Sequence, residues 1–276
     1  MQPLSRTVRV TYLIIFSVLF TALIPIVILY AEGWRFSAGL GFYKTGGIYV
    51  TVPYTNVSVT LEGRDIGTTG LLQRNFYIDD LPPATYVIRA SREGDYPWER
   101  MVVVEPQLVT DARVFLASMD PARTELVLSN TATSTGKAIS GDVFEDYLAI
   151  FATSTHPTGT STPLDLRAGI GLTIKNGELF ARWIEVDRPL PSNFCLRPSR
   201  CLSEIALTRG ADSVTHAVFY EDGVLYSTAD GVYYTEVDAR PTPRLIAISD
   251  VPDADFRIID GVLVLREGGK LFEVDL

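Results

Sequence analysis

Glu221-Asp222-Gly223-Val224-Leu225-Tyr226-Ser227-Thr228-Ala229-Asp230-Gly231-Val232-Tyr233-Tyr234 is the stretch whose reading decides the C-terminal part of this chain. Two alternating apolar runs are each opened by Asp-Gly. That dipeptide is a strong hairpin signal, because both residues accept the positive φ of a two-residue turn. The pattern returns as Asp260-Gly261-Val262-Leu263-Val264, then Gly268-Gly269-Lys270-Leu271-Phe272. Gly223 to Gly261 and Gly231 to Gly269 are the same step of 38 residues. A weaker third copy is Asn176-Gly177-Glu178-Leu179-Phe180. Strand–hairpin–strand repeats of about 40 residues predict a propeller-like β domain over residues 119–276, with three to four blades. Its last copy stops at Leu276 after three strands, whereas the copy before it has a fourth, Arg244–Ile248. The orphan run Glu125–Leu128 is therefore expected to pair with the final blade and remove an exposed edge. An open stack of hairpin sheets, or a ring completed by another chain, satisfies the same pattern.

Upstream, the alternation is finer. Ile48, Val50 and Val52 alternate with Tyr49 and Thr51, and Val57, Val59 and Leu61 lead into the turn Glu62-Gly63-Arg64-Asp65. Further β-rich runs lie at 75–78, 85–90, 101–104 and 112–116, separated by Leu81-Pro82-Pro83-Ala84 and by Arg92–Pro97. Six or seven strands in some 70 residues predict a small β-sandwich over 47–118. The succession Val52-Pro53, Val57-Ser58-Val59, Leu61-Glu62-Gly63, Gly67-Thr68-Thr69, Leu81-Pro82-Pro83, Tyr86-Val87-Ile88, Gly94-Asp95-Tyr96, Met101–Val104 resembles a PEGA domain. That family is a β-sandwich module of bacterial and archaeal surface proteins, and here it spans residues 47–116. The sequence departs from the family at its corner, Pro53-Tyr54-Thr55-Asn56, at Ala84 and at Asp95. The resemblance implies an envelope-located interaction or spacer module, with no catalytic residues to carry over.

Further upstream still, Val10 to Ala31 holds no charged residue. At ~1.5 Å per residue it is long enough as a helix to cross a ~30 Å hydrocarbon core. Arg6 and Arg9 flank its short side and Glu32 the other, so the positive-inside rule predicts residues 1–9 in the cytoplasm and everything beyond 31 exported. Tyr30, Trp34 and Phe36 fit an aromatic belt at the outer interface, with Arg35 among the headgroups, and 32–46 reads as a linker. A cleaved signal peptide is the rival; its apolar core is normally shorter and ends in a small-x-small site, where this chain has Leu29-Tyr30-Ala31. In an exported domain Cys195 and Cys201 are a candidate disulfide, stiffening the insertion Pro189–Ser203.

The charge, −9 from 24 basic against 33 acidic residues, repels phosphate backbones and argues against nucleic acid as a partner. Two histidines and two cysteines supply no structural zinc site, and no metal or cofactor is expected. His156 falls in a Ser/Thr-rich loop and His216 on an alternating run; without a Gly-x-Ser-x-Gly elbow neither suggests a catalytic triad. Glu221-Asp222 and Asp253-Ala254-Asp255 are the densest carboxylate pairs, but both adjoin predicted turns. Asp250, Asp253 and Asp255 lack a full calcium-loop signature. Tyr54, Tyr96, Trp98, Trp183, Tyr233 and Tyr234 suit sugar stacking if exposed, although aromatics alternating in strands commonly form core. Two stretches, Ser129–Gly136 and Thr153–Pro163, read as exposed loops, and no long amphipathic helix is expected. The expectation is an all-β ectodomain on one transmembrane helix. It is not an enzyme: it binds the bilayer through residues 10–31 and holds a cell-wall glycan or an envelope protein partner. The alternatives are a carboxylate-based glycan hydrolase and a subunit of a surface-layer or secretion assembly.

Overall fold

Arg6–Ala31 forms the helix α1 in the computed structural model of the chain, which describes residues 6–129, 136–153, 165–208 and 213–276. The helix takes in Arg6 and Arg9 as well as the uncharged run, and Pro25 lies inside it. None of its residues is buried by the rest of the chain. Among the described residues it is the one helix long and apolar enough to cross a membrane. Everything beyond it is mostly β.

Residues 32–46, expected as a linker, contain a hairpin instead: β1 (Trp34–Ser37) pairs with β2 (Gly41–Lys44) from Trp34↔Lys44 to Ser37↔Gly41. Each strand has four residues, too few to show a period in the sequence. The β-forming aromatics Trp34, Phe36, Phe42 and Tyr43 nevertheless favour extended backbone, and Gly41 closes the loop at φ +69°.

Seven strands follow: β3 (Gly46–Thr51), β4 (Ser58–Leu61), β5 (Arg64–Thr68), β6 (Asn75–Leu81), β7 (Thr85–Ser91), β8 (Trp98–Val103) and β9 (Val109–Arg113). They make two sheets, ordered β6-β3-β9 and β5-β4-β7-β8. Within the first, β3 runs antiparallel to β6 and parallel to β9. The alternation read from the sequence gives the inward faces: Ile48 and Val50 of one sheet share a core with Val59, Ile88, Trp98 and Val102 of the other. Glu62 (φ +50°) and Gly63 (φ +75°) form the two-residue turn between β4 and β5.

Beyond this two-sheet unit come β10 (Ala122–Leu128), β11 (Lys137–Ile139), the helix α2 (Gly141–Thr153), β12 (Leu166–Arg167), β13 (Ile170–Lys175), β14 (Glu178–Trp183), β15 (Cys195–Arg197), β16 (Arg200–Cys201) and β17 (Glu204–Ala206). The chain ends with β18 (His216–Tyr220), β19 (Gly223–Thr228), β20 (Gly231–Thr235), β21 (Leu245–Ser249), β22 (Asp255–Ile259), β23 (Val262–Glu267) and β24 (Lys270–Asp275). Three larger sheets result, ordered β12-β13-β14-β17, β18-β19-β20-β21 and β11-β10-β24-β23-β22, and β15-β16 form a two-stranded sheet of their own. The orphan strand does pair with the last one: β10 runs antiparallel to β24 from Ala122↔Asp275 to Leu126↔Leu271. The edge of β24 that would otherwise offer unpaired backbone is covered by the strand that opens the unit.

Two expectations need correction. The repeat is real, but its register is one residue off the glycine match. In the second sheet the turn residues are Glu221-Asp222 and Ala229-Asp230; in the third they are Asp260-Gly261 and Gly268-Gly269. Glu221 therefore answers to Asp260 and Ala229 to Gly268. Gly223 begins β19 and is demanded by space: a Cβ there would lie 2.6 Å from Thr235 O and 2.8 Å from the Phe115 ring. The expectation of no long amphipathic helix needs qualifying as well, because the 13-residue α2 is amphipathic. In α2, Phe144, Tyr147 and Phe151 recur at helical spacing and pack on Leu126, Val264 and Leu271 of the third sheet. Ser140 supplies the helix start, its carbonyl accepting from Phe144 N–H at 3.0 Å. All of Ser129–Gly136 but its two end residues, all of Thr153–Pro163 but its first residue, and His156 fall within 130–135 and 154–164, outside the described residues.

A single hydrophobic cluster runs from the two-sheet unit through Phe115 and Leu116 into Leu225, Val232, Tyr234, Phe256 and Leu263 of the second and third sheets. A separate cluster joins the first and second sheets through Leu172, Leu179, Phe219 and Val224.

Candidate functional site

Where β9 leaves the two-sheet unit it meets the β12–β13 and β18–β19 turns and the chain just past β20. They enclose a cleft of about 300 Å³ lined by Arg113, Phe115, Arg167, Asn193, Glu221 and Asp222, with Glu236 and Asp238 on its inner wall. Hairpin turns and contacts between the first and second sheets place its groups. Glu221 and Asp222 are the two turn residues of a hairpin (Glu221 φ +44°), so their side chains stand at its tip. Arg167 precedes the turn Ala168-Gly169 and donates to Phe219 O at 3.1 Å and to Glu221 O. Asp165 accepts from Phe219 N–H at 2.8 Å, tying the first sheet to the second.

Asp222 is the junction. One carboxylate oxygen accepts from Arg113 at 2.5 Å and the other from the Tyr54 hydroxyl at 3.4 Å. The same hydroxyl lies 3.2 Å from Leu116 O. Burial, followed by the negative charge of Asp222, pushes the Tyr54 phenol well above its ordinary range and keeps it protonated as a donor. Glu221 is different. Partial desolvation, then the neighbouring Asp222 and Asp275, raise its carboxyl above the usual carboxylate range. At the mouth of the cleft the arginine-paired Asp222 thus stands beside Glu221, whose carboxyl is raised.

Its inner wall continues into a buried polar joint. Arg100 on β8 donates to Glu236, to Pro241 O at 2.8 Å and to Thr242 O at 2.7 Å, with Asp238 3.8 Å away. Glu236 also accepts from Trp98 Nε1 at 3.0 Å and from Arg244 N–H. Desolvation raises the Glu236 carboxyl, and Arg100 works against that rise. Arg240 holds Asp238 at 2.9 Å and reaches Asp111 O at 3.0 Å, while Asp111 accepts from Ser192 Oγ at 2.7 Å. The two units are thereby joined by charged groups that are far apart in sequence and lie out of water.

Cys195 and Cys201 are bonded to each other across the β15–β16 hairpin. Their loop docks on the two-sheet unit: Ser199 N–H and Oγ donate to Glu105 at 2.8 and 2.7 Å, and Arg197 lies 3.5 Å from the same carboxylate. At the other end of the molecule, Arg35 donates to Asp80 at 2.6 Å and to Tyr30 O at 2.9 Å, and its guanidinium sits 3.8 Å over the Tyr30 ring. It ties α1 to β6. Trp34 and Phe36 lie on β1 beside it.

The other candidates scatter. Trp98 and Tyr234 are buried, and Tyr54, Tyr96, Trp183 and Tyr233 pack against the clusters, so these aromatics are mainly core. His216 stacks on Phe256 at 4.7 Å. Asp255 is engaged by Arg257 at 2.8 Å, and among the described residues no three His, Cys, Asp or Glu side chains are grouped to hold a metal ion. Sequence reading missed Arg100, Arg113, Arg167, Asn193, Glu236 and Asp238. A trace of the joint existed in Glu236-Val237-Asp238-Ala239-Arg240, where charge alternates with small apolar residues directly after a buried strand. No protein-family model matches the chain, and a search of curated proteins finds no match.

Proposed function

We propose that the chain is a single-pass, N-in envelope protein: a PEGA-like sandwich near the bilayer carries a three-bladed, propeller-like unit, and both hold a cell-wall polymer or a partner protein without catalysing a reaction. The observation that carries this reading is the Arg100–Glu236 joint. Burying such a pair costs several kcal/mol per ion in desolvation, so its reward lies in a defined arrangement of the two units more than in stability. Asp222, Glu236 and Asp238 are spent on arginines that hold the units together. A rigid body on an apolar helix suits presenting a loop-rich surface at a fixed distance from the membrane. The test is co-sedimentation of the detergent-solubilised full-length protein with purified sacculi across a salt series. Salt-resistant pelleting supports wall binding; protein that stays in the supernatant at every salt concentration removes the wall and leaves a protein partner, to be sought by crosslinking in intact cells.

A second reading rests on Glu221. Its carboxyl is raised by burial and by Asp222, and it lines the cleft beside that arginine-paired residue; a glycan hydrolase requires two carboxyl groups with separate roles in one cleft. If the cleft is hydrolytic, the protein releases reducing ends from a purified glycan and Glu221→Gln abolishes the release. Equal background release from both proteins rejects it.

A further inference from the structure

Three large apolar side chains of the β1–β2 hairpin point away from the rest of the chain: Phe36 is 67% exposed, Leu40 61% and Phe42 74%. In water that is a poor use of so short a hairpin, although Phe36 and Phe42 touch each other with ring centroids 5.1 Å apart. A groove of about 510 Å³ runs between the hairpin and the outer end of α1, lined by Ile26, Leu29, Tyr30, Trp34, Phe36 and Phe42 with Arg35 among them. Apolar side chains of the helix end and of the hairpin therefore share one surface, with the Arg35 guanidinium tied to Asp80 beside it.

The hairpin is also held in place. Gly33 turns the chain out of α1 at φ +82°, and its carbonyl accepts from Thr45 N–H at 2.9 Å. Thr45 O in turn accepts from Gln107 N–H at 2.8 Å, and Arg35 bridges the end of the helix to Asp80. Helix end, hairpin and two-sheet unit thus form one hydrogen-bonded block. The Lys44 ammonium lies 5.3 Å over the Trp34 ring, a cation beside an amphipathic ring at the level of the helix end.

We propose that the hairpin is a second membrane contact: Phe36, Leu40 and Phe42 enter the outer leaflet beside α1, Trp34 and Lys44 sit at its headgroups, and the block fixes the stance of the ectodomain on the bilayer. The occupant is lipid, because the exposed surface is continuous with a helix that the rest of the chain leaves uncovered. The inference rests on α1 as a membrane span and deepens it from a tether to a rigid, two-point mount.

The test uses the full-length protein with its disulfide formed, reconstituted in phosphatidylethanolamine–phosphatidylglycerol vesicles. A nitroxide is attached in turn to Leu40→Cys, to Ile14→Cys in α1 and to Asn75→Cys at the far end of β6. The expected result is an oxygen-to-nickel accessibility ratio several-fold higher at Leu40 than at Asn75, with Ile14 higher still. An aqueous reading at Leu40 with a deep reading at Ile14 overturns the hairpin contact and leaves the span intact. Aqueous readings at both overturn the span and the hairpin contact with it. Spin–spin broadening at Leu40 that disappears on dilution with unlabelled protein, together with an aqueous reading, assigns the surface to a second copy and overturns the lipid.

Discussion

Replacing Arg100 with methionine tests the joint between the two units. Arg100 is 1% exposed and its partner Glu236 5%. Methionine fills part of the volume but leaves the carboxylate with only Trp98 Nε1 and the Arg244 N–H. It also strips Pro241 O and Thr242 O of a donor. Removing one partner of a buried ion pair typically costs about 3–5 kcal/mol. The separate hydrogen-bond losses overlap with that figure and are not added. For a cooperative unit of this size, about 2–4 °C is lost per kcal/mol, so the melting temperature should fall by roughly 6–20 °C. The assay is thermal and guanidinium unfolding of the full-length protein in detergent, followed by tryptophan fluorescence, since Trp98 sits in the joint. The pH dependence has a definite sign. The Glu236 carboxyl is raised in the folded state, so its contribution is fully present below its unfolded pKa and is lost as pH rises through the folded one. Without Arg100 that loss deepens, and the deficit of Arg100→Met should shrink on acidification. Adding Glu236→Gln, which keeps acceptor capacity for Trp98 and Arg244, should restore most of the stability. A single variant within about 1 kcal/mol of the parent, or a double variant no better than the single, refutes the reasoning.

Leu126→Ala, at the strand that closes the third sheet against β24, should cost about 2–5 kcal/mol and speed hydrogen exchange in β24 before β19. Gly223→Ala should cost about 1–3 kcal/mol by overpacking against Thr235 O and Phe115, whereas Gly261→Ala, in open space at φ +82°, should cost about 1 kcal/mol through backbone strain; chemical denaturation separates them. Reducing Cys195–Cys201 should remove about 2 kcal/mol at most, read as faster hydrogen exchange across 191–206 and weaker docking on Glu105, with β18–β24 unchanged. Glu221→Gln should flatten the decline in stability as pH rises through the raised Glu221 carboxyl, with a small amplitude because that side chain keeps much of its contact with water; a titration of unfolding midpoints against pH shows it.

Local chemistry determined much of this protein. An uncharged run can cover its backbone in lipid only as a helix, and α1 follows from it. Period-two alternation placed Ile48, Val50, Val59 and Ile88 on inward faces, and the missing fourth strand of the last repeat announced the pairing of β10 with β24. Short elements escaped because a period needs length: β1 and β2 have four residues each, and α2 stands among Ser/Thr-rich neighbours. The glycine match misled by one position because glycine answers to two demands, positive φ at Gly261 and crowding at Gly223, and a sequence shows the same letter for both. The cleft was out of reach for a different reason. Tyr54 meets Asp222 and Arg100 meets Glu236 across more than a hundred residues, and no local pattern encodes which distant charge a buried charge will find. Those partnerships are decided only when the two units close on one another and water leaves the space between them.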